Sequence, residues 1–195
     1  MLPVAASHAA EPPAVDFAAI KSPIIFKGDA VTAYRDPAAV YHDGVFRLFF
    51  TMVRKEDDGN AYLYTAVSKS SDLATWTYVG RTKGGENSCV IVDGDEYVLF
   101  HSPGNGIGVK RSRDLKEWRD AGLLTLGQKD WPWAKGRLTA GFVLDLRREP
   151  RVGKAVMFFH GSGPEDERTM FDNYASMGLA WSNDLAAWDW PGKGK

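Results

Sequence analysis

The chain has 195 residues, 44% of them hydrophobic and 12% aromatic, which suits one globular domain with a real core rather than a disordered segment. Lys and Arg number 24 against 25 Asp and Glu, so no excess of positive charge marks a nucleic-acid or anionic-membrane surface. No apolar run approaches the ~20 residues of a membrane-spanning helix, and the single cysteine, Cys89, excludes an internal disulfide framework.

The opening, MLPVAASHAAEPP, is small and apolar, and its SHAA stretch looks like the end of a cleavable signal, although it lacks a basic start. Residues 1–20 are read as a signal remnant or a tail outside the fold. The first option points to a periplasmic or secreted protein, the second leaves the cytoplasm open. Residues 21–195 are read as a single domain.

From Thr32 to Phe50 the chain reads TAYRDPAAVYHDGVFRLFF. Phe46, Leu48 and Phe50 alternate with Val45, Arg47 and Phe49, the period of a strand. Asp43-Gly44 is a hairpin turn, and Arg35-Asp36-Pro37 precedes the strand pair, with Pro37 expected to fix a turn at the strand start. On these residues alone Asp36 is either a turn residue before proline or a functional carboxylate.

Three stretches then repeat one pattern: AVSKSSDLATW ending at Trp76, GVKRSRDLKEW at Trp118 and GLAWSNDLAAW at Trp188. Each has a small residue (Ala66, Gly108, Gly178), then Ser-x-Asp-Leu-x-x-Trp. Ser and Asp close tight turns by bonding nearby amides, and Leu and Trp are expected to plug the turn onto the core. Upstream of each turn, YHDGVFRLFFT, VDGDEYVLFHS and VGKAVMFFHG each give a Gly turn and an apolar strand, with Asp93-Gly94 taken as the second hairpin turn. A tryptophan-anchored unit of about four strands and ~40–50 residues, repeated, is a propeller blade. The expected fold is all-β, with three antiparallel four-stranded blades at about 34–80, 85–122 and 136–190. A β-sandwich is the alternative, but its strands need not resemble one another.

Two loops interrupt the third unit, LGQKDWPWAKGRLTAG and HGSGPEDERTMFDNYAS. Long loops on a rigid scaffold are where function concentrates. Trp131 and Trp133 either stack on sugar rings or pack, and Arg137 can bind hydroxyls or carboxylates. Glu165 and Asp166 are either a solvated acidic loop or substrate contacts. His101 and His160, in LFHS and FFHG, are assigned the same blade position, and each is either a structural histidine or a ligand for a sugar hydroxyl. Cys89, within CVIV, reads as a buried filler. Phosphate-cradling, zincin, Cys-x-x-Cys and Gly-x-Ser-x-Gly motifs are absent from the sequence.

Arg35-Asp36-Pro37 before the first blade, blades ending in Ser-x-Asp-Leu-x-x-Trp, and Glu86 opening a later blade resemble the five-bladed propeller glycoside hydrolases of family 43 and its relatives in families 32, 62, 68, 117 and 130. The resemblance covers about residues 24–190. It implies an inverting hydrolase of arabino-, xylo-, galacto- or fructosides with Asp36 as general base and Glu86 as general acid, while Arg35 either keeps Asp36 ionised or binds substrate. It implies carboxyls ~6.5–9.5 Å apart, against ~5–5.5 Å for a retaining enzyme. It allows a central calcium ion and calls for no other cofactor. The string GENSCVIVDGDEYVLFHS carries Asn87-Ser88 where the family has Gly-Pro, and the third carboxylate of the family, which orients the acid, has no counterpart. Three blades stand where five are expected, so a catalytically inactive carbohydrate-binding propeller is the alternative. Open sheet edges would favour assembly into a homo-oligomer.

Overall fold

The computed structural model describes residues 15–104, 106–124, 126, 131–163, 165–166 and 171–193. Three antiparallel sheets of four strands each follow one another along the chain. The first contains β1 (Thr32–His42), β2 (Val45–Lys55), β3 (Ala61–Ser70) and β4 (Thr77–Lys83) in that order. The second contains β5 (Glu86–Asp93), β6 (Glu96–Ser102), β7 (Ile107–Ser112) and β8 (Arg119–Leu124). The third is built from β9 (Arg137–Leu146), β10 (Lys154–Ser162), β13 (Ser176–Ser182) and β14 (Trp188–Asp189), and a two-stranded ribbon of β11 (Glu165–Asp166) and β12 (Phe171–Asp172) is inserted between β10 and β13. The only helical segments among the described residues are 3-10 turns at Phe17–Ala19 and Pro132–Ala134. No described helix is long and apolar enough to cross a membrane.

The hairpin turns follow glycine. Asp43 and Gly44 both have positive φ, 49° and 72°, the type I′ turn that matches strand twist. In the second sheet the two turn residues are Gly94 and Asp95, one place later than the sequence suggests, because Asp93 pairs with Glu96 and Gly94 alone takes positive φ. In the third sheet Gly153 closes a longer connection, Arg147 to Gly153, rather than a two-residue turn.

The repeated turn joins the third strand of each sheet to the fourth, and its hydrogen bonds repeat residue for residue. The amides of Leu73, Leu115 and Leu185 each donate to the hydroxyl of the serine that ends the preceding strand, Ser70, Ser112 and Ser182, at 2.8 Å. Asp72, Asp114 and Asp184 each accept two amides further on, the closer at 2.7–2.8 Å. Those amides hold all three carboxyls below the usual aspartate value. The tryptophan indole N–H donates back to the leucine carbonyl, at 3.0, 3.3 and 3.3 Å. This geometry forces each leucine into the left-handed region, φ 62°, 66° and 65°, which costs a non-glycine residue about 1–2 kcal/mol. Burial offsets the strain in two of the three turns. Leu115, Leu185 and Trp188 are buried, whereas Leu73 and Trp76 are only half-buried.

The reason is the order of packing. Trp118 of the second sheet meets Phe49 of the first edge-to-face at 6.4 Å, and Trp188 of the third meets Phe100 of the second at 5.9 Å. Each turn thus plugs the sheet before it, and the first turn has no sheet before it. Instead it borders a hollow of about 470 Å³ walled by residues from Ala19 to Phe26. The first strands pack in sequence, β1 on β5 and β5 on β9, and so form the inner layer of an arc of propeller blades.

Candidate active site

Each inner strand carries a β-bulge at the same register position. Arg35 faces Thr51 and Ala38 faces Phe49, so two residues, Asp36 and Pro37, stand opposite one. The same shift places Asn87 and Ser88 in β5, and Ala140 and Gly141 in β9. Pro37 lacks an N–H and cannot continue a ladder, which explains why the first bulge falls there. The Arg-Asp-Pro triplet therefore lies inside β1 and not in front of it, as the sequence suggests. Asp36 and Asn87 both adopt φ 53°, and this conformation re-aims their side chains off the strand.

The bulges bring Arg35, Glu86 and Thr139 to equivalent places on neighbouring strands. Arg35 Nη2 donates to Glu86 Oε2 at 2.6 Å, and Arg35 Nε lies 3.5 Å from Asp36 Oδ2. Arg137, the first residue of β9, donates from Nη2 to Glu86 Oε1 at 3.2 Å. One guanidinium thus touches both carboxylates that the sequence singles out, and Glu86 is gripped on each oxygen by an arginine from a flanking blade. Asp36 Oδ2 is buried and accepts no hydrogen bond among the described residues. Such an atom is costly unless it serves a ligand or a proton transfer. Beside the cluster runs a groove of about 480 Å³ lined by all three bulges, with Asp36, Pro37, Asn87, Ser88, Ala140 and Gly141 along it.

The third blade offers Thr139 and Ala140 where the first two offer Arg35-Asp36 and Glu86-Asn87, so among the described residues no third carboxylate stands at these positions. Among the described residues no group of three or more His, Cys, Asp or Glu gathers. Asp36 and Glu86 both face arginines, and this set does not fit a calcium ion.

The two histidines do not share a blade position. His101 pairs with Gly108, as Phe159 pairs with Gly178, whereas His160 faces Thr139 as Ser102 faces Glu86. One residue along a strand reverses the face. The His101 ring is buried and fills the space over Gly85 and Gly108, where an added Cβ would lie 2.2 and 2.5 Å from its nitrogens. Burial, and then Lys110, push its pKa down to about 4. His160 is half-buried on the opposite face of its blade. Trp131 and Trp133 stack on each other at 5.1 Å, and Trp131 also stacks on Phe159 at 5.8 Å, so both rings pack into the third blade. Glu165 and Asp166 form β11, and their side chains lie outside the described residues. Cys89 is buried, accepts the Val143 amide at 3.2 Å, and has its thiol pKa pushed up by burial.

Sequence reading missed a second ionic cluster. Arg147, just past β9, reaches Asp145 at 2.7 Å and Asp93 of the second blade at 2.9 Å, and Arg111 reaches Asp93 at 3.1 Å. The Asp145–Arg147 pair is local, but its link to Asp93 spans 54 residues and so is invisible in the local pattern.

No family model matches the chain, and no curated protein matches it. Solved structures do. A complex of BT0996 with RGII is similar over 86% of this chain and 59% of its own, with 14% identity and a TM-score of 0.64. An N-acetylgalactosamine deacetylase from F. plautii, in complex with blood group B trisaccharide, is similar over 93% of this chain and 57% of its own, with 11% identity and a TM-score of 0.61. The Bombyx mori GH32 beta-fructofuranosidase BmSUC1 is similar over 84% of this chain and 38% of its own, with 14% identity and a TM-score of 0.54. The likeness is one of fold: the chain has the fold of glycoside hydrolases, and it spans 59% of the length of the first of these structures.

Proposed function

We propose that the groove beside Asp36 binds a carbohydrate and that the chain is a glycoside hydrolase acting on an O-glycosidic bond. The observation that carries this reading is the Arg35 guanidinium held between Asp36, on the bulge of β1, and Glu86, the residue before the matching bulge of β5. In the reaction Asp36 takes a proton from a water whose oxygen attacks the anomeric carbon. The glycosidic C–O bond breaks, and the leaving oxygen receives a proton from Glu86. Both Glu86 oxygens now accept arginine hydrogen bonds, so Glu86 must first be protonated and give up one of them, with substrate hydroxyls taking over the released guanidinium. An arabino-, xylo-, galacto- or fructoside meets these requirements.

The same double grip on Glu86, with Thr139 and Ala140 in place of a further carboxylate, favours a second reading: carbohydrate binding without turnover. A panel of nitrophenyl glycosides and short oligosaccharides, assayed with wild type, Asp36→Asn and Glu86→Gln, separates them. Turnover that falls about a hundredfold or more in both variants supports the hydrolase. Binding without turnover supports the second reading, and neither binding nor turnover sinks both.

A further inference from the structure

Glu86 is held as a bound carboxylate would be. Arg35 of the first blade reaches one of its oxygens at 2.6 Å, and Arg137 of the third blade reaches the other at 3.2 Å. The two guanidiniums therefore stand one carboxylate apart, on the strands that flank β5. Arginine's planar fork matches the two oxygens of a carboxylate, and a single hydroxyl fills it less well. The side chains of Arg35, Arg137 and Glu86 are 50%, 33% and 23% exposed, so a ligand can reach all three. Ion pairs this close to solvent are held weakly and exchange partners readily. The groove of about 480 Å³ opens beside them, lined by Asp36 and Asn87, the chain neighbours of Arg35 and Glu86.

Arg35, Arg137, Asp36 and Glu86 balance, two cations against two anions. Acid catalysis by Glu86 upsets that balance, because a protonated Glu86 no longer answers the two arginines. A neutral sugar brings only hydroxyls to them. A sugar with its own carboxylate brings the group that the pair already holds. We propose that the groove takes an acidic glycoside, a uronide, whose carboxylate displaces Glu86 from Arg35 and Arg137. The displaced Glu86 takes a proton from solvent and becomes the acid that the leaving oxygen needs, so the charge of the substrate readies the site. Arg137 then sets the substrate class, and Glu86 is both the acid and the competitor that the substrate must dislodge. The inference rests on the groove binding carbohydrate, as proposed above.

The test is calorimetric titration of the 195-residue chain with matched neutral and acidic mono- and disaccharides: galactosides against galacturonides, glucosides against glucuronides, and a galactoside 6-sulfate as an anion of another shape. At least one uronide should bind about tenfold or more tighter than its neutral partner, the gain of a charge-assisted contact. Arg137→Met should bring the two affinities to within about threefold of each other, because one half of the carboxylate clamp is gone. Glu86→Gln removes the competitor and should tighten uronide binding by about threefold or more. That gain is a result no merely structural ion pair would give, and with the wild-type ratio it decides the matter even if Arg137→Met does not fold. Neutral sugars that bind as tightly as their uronides overturn the inference and leave the carbohydrate groove standing. An equal gain for the sulfate overturns the assignment to a carboxylate, and uronide binding that Glu86→Gln leaves unchanged or weaker overturns the displacement. If no sugar of either kind binds, the carbohydrate reading falls and this inference with it.

Discussion

Arg35 and Glu86 meet across the joint between the first two blades, Nη2 to Oε2 at 2.6 Å, although 51 residues separate them in the chain. The Arg35 side chain is half exposed, so the pair contributes little to folding. Its value lies in holding two carboxylates with one planar group, which lysine cannot imitate.

Arg35→Met should therefore change unfolding free energy by less than about 1 kcal/mol. Carbohydrate affinity should fall by about tenfold or more, the loss of a charge-assisted bond. Arg35→Lys should not restore it. Urea denaturation and calorimetric titration with a bound glycoside check both halves. A large stability loss with unchanged affinity would make the contact a structural joint only.

The strained leucines give a second expectation. Glycine relieves a left-handed backbone but surrenders the side chain. Leu185 is 1% exposed, so Leu185→Gly should destabilise by about 2 kcal/mol or more, since emptying a buried leucine site outweighs the relief. Leu73 is half-buried at a similar φ, and Leu73→Gly should stay within about 1 kcal/mol of wild type. Urea unfolding of the pair decides it, and equal losses would show that the first turn is as well seated as the third.

His101 supplies a pH dependence. Burial, then Lys110, lowers its folded pKa from 6.5 to about 4. A depressed value means the fold favours neutral imidazole. The stability it contributes is complete above about pH 6.5 and is lost as pH falls toward 4. Phe50 and Phe159 occupy the equivalent place in the other blades, so His101→Phe should fold and should flatten the decline in that window. Thermal melts at stepped pH read this directly, and parallel slopes for the two proteins would refute it.

The blades themselves were legible in the sequence. Ser-x-Asp-Leu-x-x-Trp closes its turn through bonds spanning two or three residues, so the information is local and survives being read as a string. Asp36 and Glu86 were legible as marked carboxylates for the same reason, each tied to a proline or a glycine pair. The placement of His101 and His160 was not. Side chains alternate with a period of two along a strand, and their one-residue offset is set by pairing with β7, β9 and β13, not by neighbours in sequence. Nor could the string reveal that Arg35 and Arg137 both close on Glu86. That contact depends on which blade lies beside which, and packing between distant segments, rather than any local propensity, decides that.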